Sequence, residues 1–199
     1  MYALVTNNEI TKFINHPKSL VIGDVRYPAK IFSVWSASEL NAIGIYEVIF
    51  DNSNKKDEQW YINTNQSYDF DGNEVTASYG TATPKAHADR NGTDEDGVEL
   101  NPVVVIEGLK TKLIKDLKLQ VANELAKTDW YITRNTEKST AIPNAISTHR
   151  DAVRTKQASM ETAITNASDT PALETLYTYT TDSDGVQSRP LGELPTLES

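Results

Sequence analysis

The chain contains no cysteine, which excludes disulfides and thiolate metal sites. Histidine is scarce. His16, His87 and His149 lie far apart with no ligand-like spacing, so a zinc site would have to rest on carboxylates. No apolar run approaches the ~20 residues of a membrane span. The start, MYALVTNNEI, has neither the basic region nor the apolar stretch of a secretory signal. There is no G-x-S-x-G, no phosphate-binding loop and no G-x-G-x-x-G. DFDGNE, from Asp69, carries alternating acids but has its glycine at the wrong position for a calcium loop and no glutamate at the twelfth. Nothing singles out a catalytic pair among 28 acidic residues. The expectation is a protein without enzymatic activity, cofactor, metal site or membrane span.

Basic residues are also few. Nineteen Lys and Arg face 28 Asp and Glu, for a net charge of −9. A chain so acidic does not favour nucleic acid, whose phosphates require a basic face. The imbalance is uneven. Leu109 to Lys156 holds ten basic and five acidic residues, or +5, leaving −14 elsewhere. That basic stretch reads first as a solvated helix face.

What is present divides the chain into four parts, and the expected class is α+β. Residues 1–83 read as a β-rich domain, a small antiparallel sheet with one short helix. Asn7-Asn8 lies between strand-like runs and suits a two-residue hairpin turn. Asp71-Gly72 is a second turn pair. Ser36 and Glu39 have the spacing of a capping box, with Trp35 and Leu40 as its hydrophobic staple and Gly44 past the helix end. Residues 84–102 contain two prolines, two glycines and five acids, and read as an acidic linker or loop. Residues 103–167 read as a helical hairpin. Leu109, Leu113, Leu117, Val121 and Leu125 recur every four residues; Ile146, Val153, Met160 and Ala167 recur every seven. Residues 168–199, with six acids and one arginine, read as an extended C-terminal tail.

One segment carries a family likeness. LAKTDWYITRN, followed by TAIPNAISTHRDAVR, resembles the helical module of phage tail assembly chaperone proteins, as found in marine phage tail and tail-fibre-associated proteins. The matching positions are Leu125, Thr128, Asp129, Trp130, Pro143, Arg150, Val153 and Arg154, within residues 110–164. His149 stands where the family usually has an aromatic. The resemblance implies a phage-encoded protein, either a structural component of the tail or tail fibre or an assembly chaperone for one. It implies other tail or fibre proteins as partners and a place in the virion or in host cytoplasm during assembly; a homo-oligomer is a further option, with the acidic C-terminal tail on the basic surface of a neighbouring copy. It brings no catalytic residues.

Two roles remain open for the T-D-W segment. As a structural latch, Asp129 would accept backbone N–H bonds, Trp130 would lie across both helices, and Arg150 or Arg154 would pair with Asp129. As a partner contact, Trp130 and the arginines would form a hot spot. A separate reading makes the chain a receptor- or carbohydrate-binding module of a phage fibre, using exposed Trp60, Tyr61 and Tyr68.

Overall fold

A computed structural model describes residues 1–64 and 66–197. The fold is mixed α+β, and the chain divides into two compact units, Met1–Thr83 and Pro84–Ser199.

In the first unit the elements run β1 (Tyr2–Thr6), β2 (Glu9–Ile14), β3 (Leu20–Ile22), β4 (Val25–Tyr27), α1 (Ile31–Val34), α2 (Ala37–Ala42), β5 (Ile45–Asp51), β6 (Tyr61–Ile62), β7 (Gln66–Phe70) and β8 (Val75–Tyr79). Five strands form one curled sheet in the order β2-β1-β5-β8-β7. Asn7 and Asn8, at φ of 54° and 63°, make the β1–β2 turn, a conformation asparagine tolerates better than most residues. Gly72, at φ 101°, serves the β7–β8 turn. The sheet departs from an all-antiparallel one, because β5 and β8 pair in parallel. The long excursion between them, through β6 and β7, lets the chain return in the same direction. Two short helices stand where one is expected, a single turn α1 preceding α2.

Packing follows the strand period of two. Ala3 and Val5 of β1 join Val48, Val75 and Ala77 in one cluster. A second cluster unites Ile14, Leu20, Ile31, Leu40 and Ile45, with Trp35 against it. Ser36 completes the capping box on α2: its N–H donates to Glu39 Oε2 at 2.7 Å, and Glu39 N–H donates to Ser36 Oγ at 3.3 Å. Gly44, at φ 80°, is required by close approach as well. A Cβ there would stand 2.5 Å from the Val5 carbonyl oxygen.

Strand β9 (Thr83–Pro84) lies at the boundary. The second unit then holds β10 (Arg90–Asn91), β11 (Val105–Ile106), α3 (Leu109–Ala126), α4 (Asp129–Lys138), α5 (Asn144–Asn166), α6 (Thr170–Tyr177), β12 (Thr180–Thr181) and β13 (Gln187–Ser188). Leu113, Leu117 and Val121 of α3 are buried, as are Ile146, Val153, Met160 and Ile164 of α5. The two helices run antiparallel: Lys110 near the start of α3 donates to Thr165 O near the end of α5 at 2.8 Å, and Arg150 near the start of α5 reaches Leu125 near the end of α3. The segment between them is not a plain connector, since it contains α4.

Residues 84–102 are not a free linker. The first turn of α3 has N–H groups without intrahelical acceptors, and this segment supplies them. Leu109 N–H donates to Ala86 O at 2.9 Å and Lys110 N–H to His87 O at 3.0 Å. Asp89 accepts from Gly108 N–H at 2.8 Å and from the Thr111 hydroxyl at 2.9 Å. Those bonds, the Gly108 N–H first, hold the Asp89 carboxyl below its ordinary range. A Cβ on Gly108 would come within 2.4 Å of Ala88 backbone.

Nor do residues 168–197 form an extended tail. Asp169 caps α6 by accepting from Ala172 N–H at 2.8 Å. Leu173 and Leu191 are buried. Arg189 lies 5.3 Å from the Tyr177 ring centre and 5.2 Å from that of Tyr179, a cation held by two aromatic faces. These contacts give a polar sequence enough anchoring to fold back. Among the described residues, no helix is long and apolar enough to cross a membrane.

Candidate functional site

The T-D-W segment forms the joint where α3 ends and α4 begins, with α5 behind it. The last carbonyls of a helix lack intrahelical donors and carry partial negative charge. Here Leu125 O receives the Thr128 N–H at 3.1 Å, the Thr128 hydroxyl at 3.0 Å and Arg150 Nη1 at 2.8 Å. Arg150 Nη1 also donates to Thr128 Oγ1 at 2.7 Å and to Asp129 Oδ1 at 2.8 Å. The guanidinium therefore sits between the negative end of α3 and an acid in the first turn of α4, both favourable placements.

Burial decides which contact matters more. Thr128 is 1% exposed and the Arg150 side chain 9%, whereas that of Asp129 is 61% exposed. The Asp129 pair is solvent-screened and worth under about 1 kcal/mol. The buried Thr128 hydroxyl and the part-buried Leu125 carbonyl would be left without their charged donor if Arg150 were lost, and that omission costs more.

A second polar contact lies beside the joint. His149 is buried, and its Nε2 stands 3.3 Å from Glu124 Oε1. The nitrogen is buried and makes no hydrogen bond there. Glu124 is held below the ordinary carboxylate range, first by the hydrogen bond from Lys127 and also by the charges of Lys127 and His149.

Trp130 does not lie across α3 and α5. It is 51% exposed. Its ring lies 3.8 Å from that of Tyr131, centre to centre, and Arg134 Cζ stands 4.7 Å from its centre and 5.5 Å from that of Tyr131. Residues 130 and 134 are one helical turn apart and meet on one face, while the buried place at the joint is already filled by Thr128. Arg154 is not in the joint either. It is exposed and stands 3.6 Å from Asp151 on its own helix. No residue of α4 is buried among those described. Trp130 and Ile132 of this ten-residue helix are exposed, while Tyr131 and Arg134 are half-buried and the Arg134 Nε is shielded from solvent.

The aromatic platform expected in the first unit is not assembled. Trp60 and Tyr61 are buried, at 4% and 9% exposure. The chain turns at Asp57, whose carbonyl accepts from the N–H groups of both. Tyr68 is half-buried, its ring 4.4 Å from that of Phe13. Among the described residues no three His, Asp or Glu side chains gather as a metal-holding group. Asp94, in the acid-rich loop, instead accepts from the N–H groups of Asp96 and Val98 at 3.0 and 2.9 Å.

Arg134, Glu124 and the His149 contact were not singled out from sequence. The Trp130–Arg134 spacing of four was the available signal for the first; the Glu124–His149 contact depends on tertiary packing. No family model matches this chain, and neither does a curated protein or a solved structure.

Proposed function

We propose that this is a non-enzymatic, phage tail-associated protein that acts through protein–protein contacts. It serves either as a structural component of the tail or tail fibre or as an assembly chaperone for one. In this reading α3 and α5 are the arms of the helical hairpin module, and α4 is its contact element. Other tail or fibre proteins are the partners.

The observation that carries the contact role is the exposed Trp130 ring, backed by half-buried Tyr131 and Arg134 on a helix with no buried residue, beside the buried Arg150 joint. Tryptophan, tyrosine and arginine dominate the energetics of protein interfaces. A rigid joint lowers the cost of ordering such a surface on binding. The phage context is supported by the resemblance at Thr128, Asp129, Trp130, Pro143 and Arg150.

Quantitative mass spectrometry of purified virions and of infected cells tests the reading. A fixed ratio to the major tail protein in virions marks a structural component. Abundance in infected cells, in complex with a tail or fibre protein and absent from virions, marks a chaperone. Absence from virions together with no tail or fibre partner in cells would overturn the proposal.

A further inference from the structure

The first unit contains a partly enclosed pocket of about 160 Å³, separate from the helical joint. Tyr2 of β1, Phe32 of α1, Trp35, Leu40 and Asn41 around α2, and Glu47 of β5 line it. Tyr2, Phe32 and Trp35 are half-buried, so their rings are both fixed and reachable. Tyr2 and Phe32, both lining the pocket, meet at 4.9 Å between centres with their planes at 49°. Tyr27 holds Trp35 edge-on, 5.8 Å away at 81°.

The polar lining is biased toward acceptors. The surroundings of Asn41 assign its amide nitrogen to the carbonyls of Ala37 and Ile45, 3.0 Å from each. Both of its donor hydrogens are thereby used, and its oxygen remains. Glu47 is exposed, and among the described residues no lysine, arginine or histidine pairs with it. Apart from the ring-borne Tyr2 hydroxyl and Trp35 N–H, the lining side chains offer only acceptors and π faces. Aromatic faces carry negative potential. A carboxylate at the same site adds to it.

We propose that this pocket binds a quaternary ammonium head group. Such a cation has no hydrogen-bond donor to satisfy, a methyl surface that suits rings and Leu40, and a charge that suits Glu47. Size agrees with chemistry. Pockets for drug-sized ligands begin at roughly 300 Å³, so this one takes a head group while the remainder of its carrier stays outside. An anion would meet Glu47, and a sugar would lack donors to its ring hydroxyls from Asn41.

The test is a titration of the full chain followed by the indole N–H resonance of Trp35, assigned with Trp35→Phe. The probes are choline, phosphocholine, a trimethyllysine peptide, and the neutral carbon analogue of choline in which a tert-butyl group replaces trimethylammonium. Choline is expected to shift the resonance saturably. The neutral analogue, and choline with Glu47→Gln, are each expected to bind roughly tenfold more weakly. Glu47 is exposed, so that variant keeps the fold. Tighter binding of phosphocholine or of the peptide than of choline would identify a lipid-type head group or a modified protein side chain as the source. Equal binding of the neutral analogue would reduce the site to an apolar hole and overturn the proposal, as would the absence of a shift with every probe.

Discussion

Arg150 offers one nitrogen to three acceptors, and only one of them is charged. Replacing it with methionine keeps much of the volume but leaves Leu125 O and the Thr128 hydroxyl without a charged donor. The expected loss is about 2–4 kcal/mol in unfolding free energy, read from urea denaturation followed by helix content. Asp129→Asn, at an exposed position, is expected to cost under about 1 kcal/mol. An equal loss in both would place the stabilising energy in the ion pair rather than in the bonds to Leu125 O and Thr128. Gly108 offers a steric counterpart. Its φ of −77° is open to any residue, so Gly108→Ala is costly through the approach of its Cβ to the Ala88 backbone at 2.4 Å and the His87 carbonyl oxygen at 2.8 Å. A loss of about 1–3 kcal/mol is expected; an unchanged midpoint would mean that the 86–89 segment gives way freely.

At the scale of elements, α4 is the exception among the longer helices. Helices of this length are marginal without a packed face, and none of its residues is buried. Its amides are expected to exchange with solvent well before those of α3 and α5, and hydrogen-exchange mass spectrometry reads this directly. Protection of α4 equal to that of α5 in the isolated chain would contradict the absence of a buried face. The same property hid α4 from the sequence. Leu113, Leu117 and Val121 mark α3 by their period of four because they are buried against α5; α4 has no such stripe to read. Local chemistry was legible where it is self-contained. Asn7-Asn8 sets its own turn and Ser36 with Glu39 makes its own cap. The parallel β5–β8 pair was not legible, because nothing within either strand specifies a distant partner. The joint was legible in part. Asp129 and Arg150 come together, but Trp130 turns to Arg134, and Arg154 stays on its own helix. The pocket was not legible at all, since Tyr2, Phe32 and Glu47 lie on separate elements.

For the whole molecule, acid is the expected weakness. Glu39, Asp51, Asp71, Asp89 and Glu124 all have folded values below their ordinary ones, chiefly through hydrogen bonds to their carboxylates. A carboxyl lowered by folding stabilises the native state above its ordinary value and loses that contribution as pH falls through the folded one. Stability is therefore expected to hold at neutral pH and to decline below about 4.5, the ordinary glutamate value, continuing below the aspartate value of 3.8. Thermal midpoints across that range read it; a midpoint that rises on acidification would contradict it. The proposed function rests on a different part of the molecule, the Trp130–Tyr131–Arg134 cluster on α4. The most direct measurement is co-purification from infected cells, comparing the native chain with the Trp130→Ala, Arg134→Ala double variant at matched thermal stability. The expected result is that the native chain retains a tail or fibre protein and the double variant loses it at least tenfold. Retention of the same tail protein by both chains, or of none by either, would contradict the role assigned to α4.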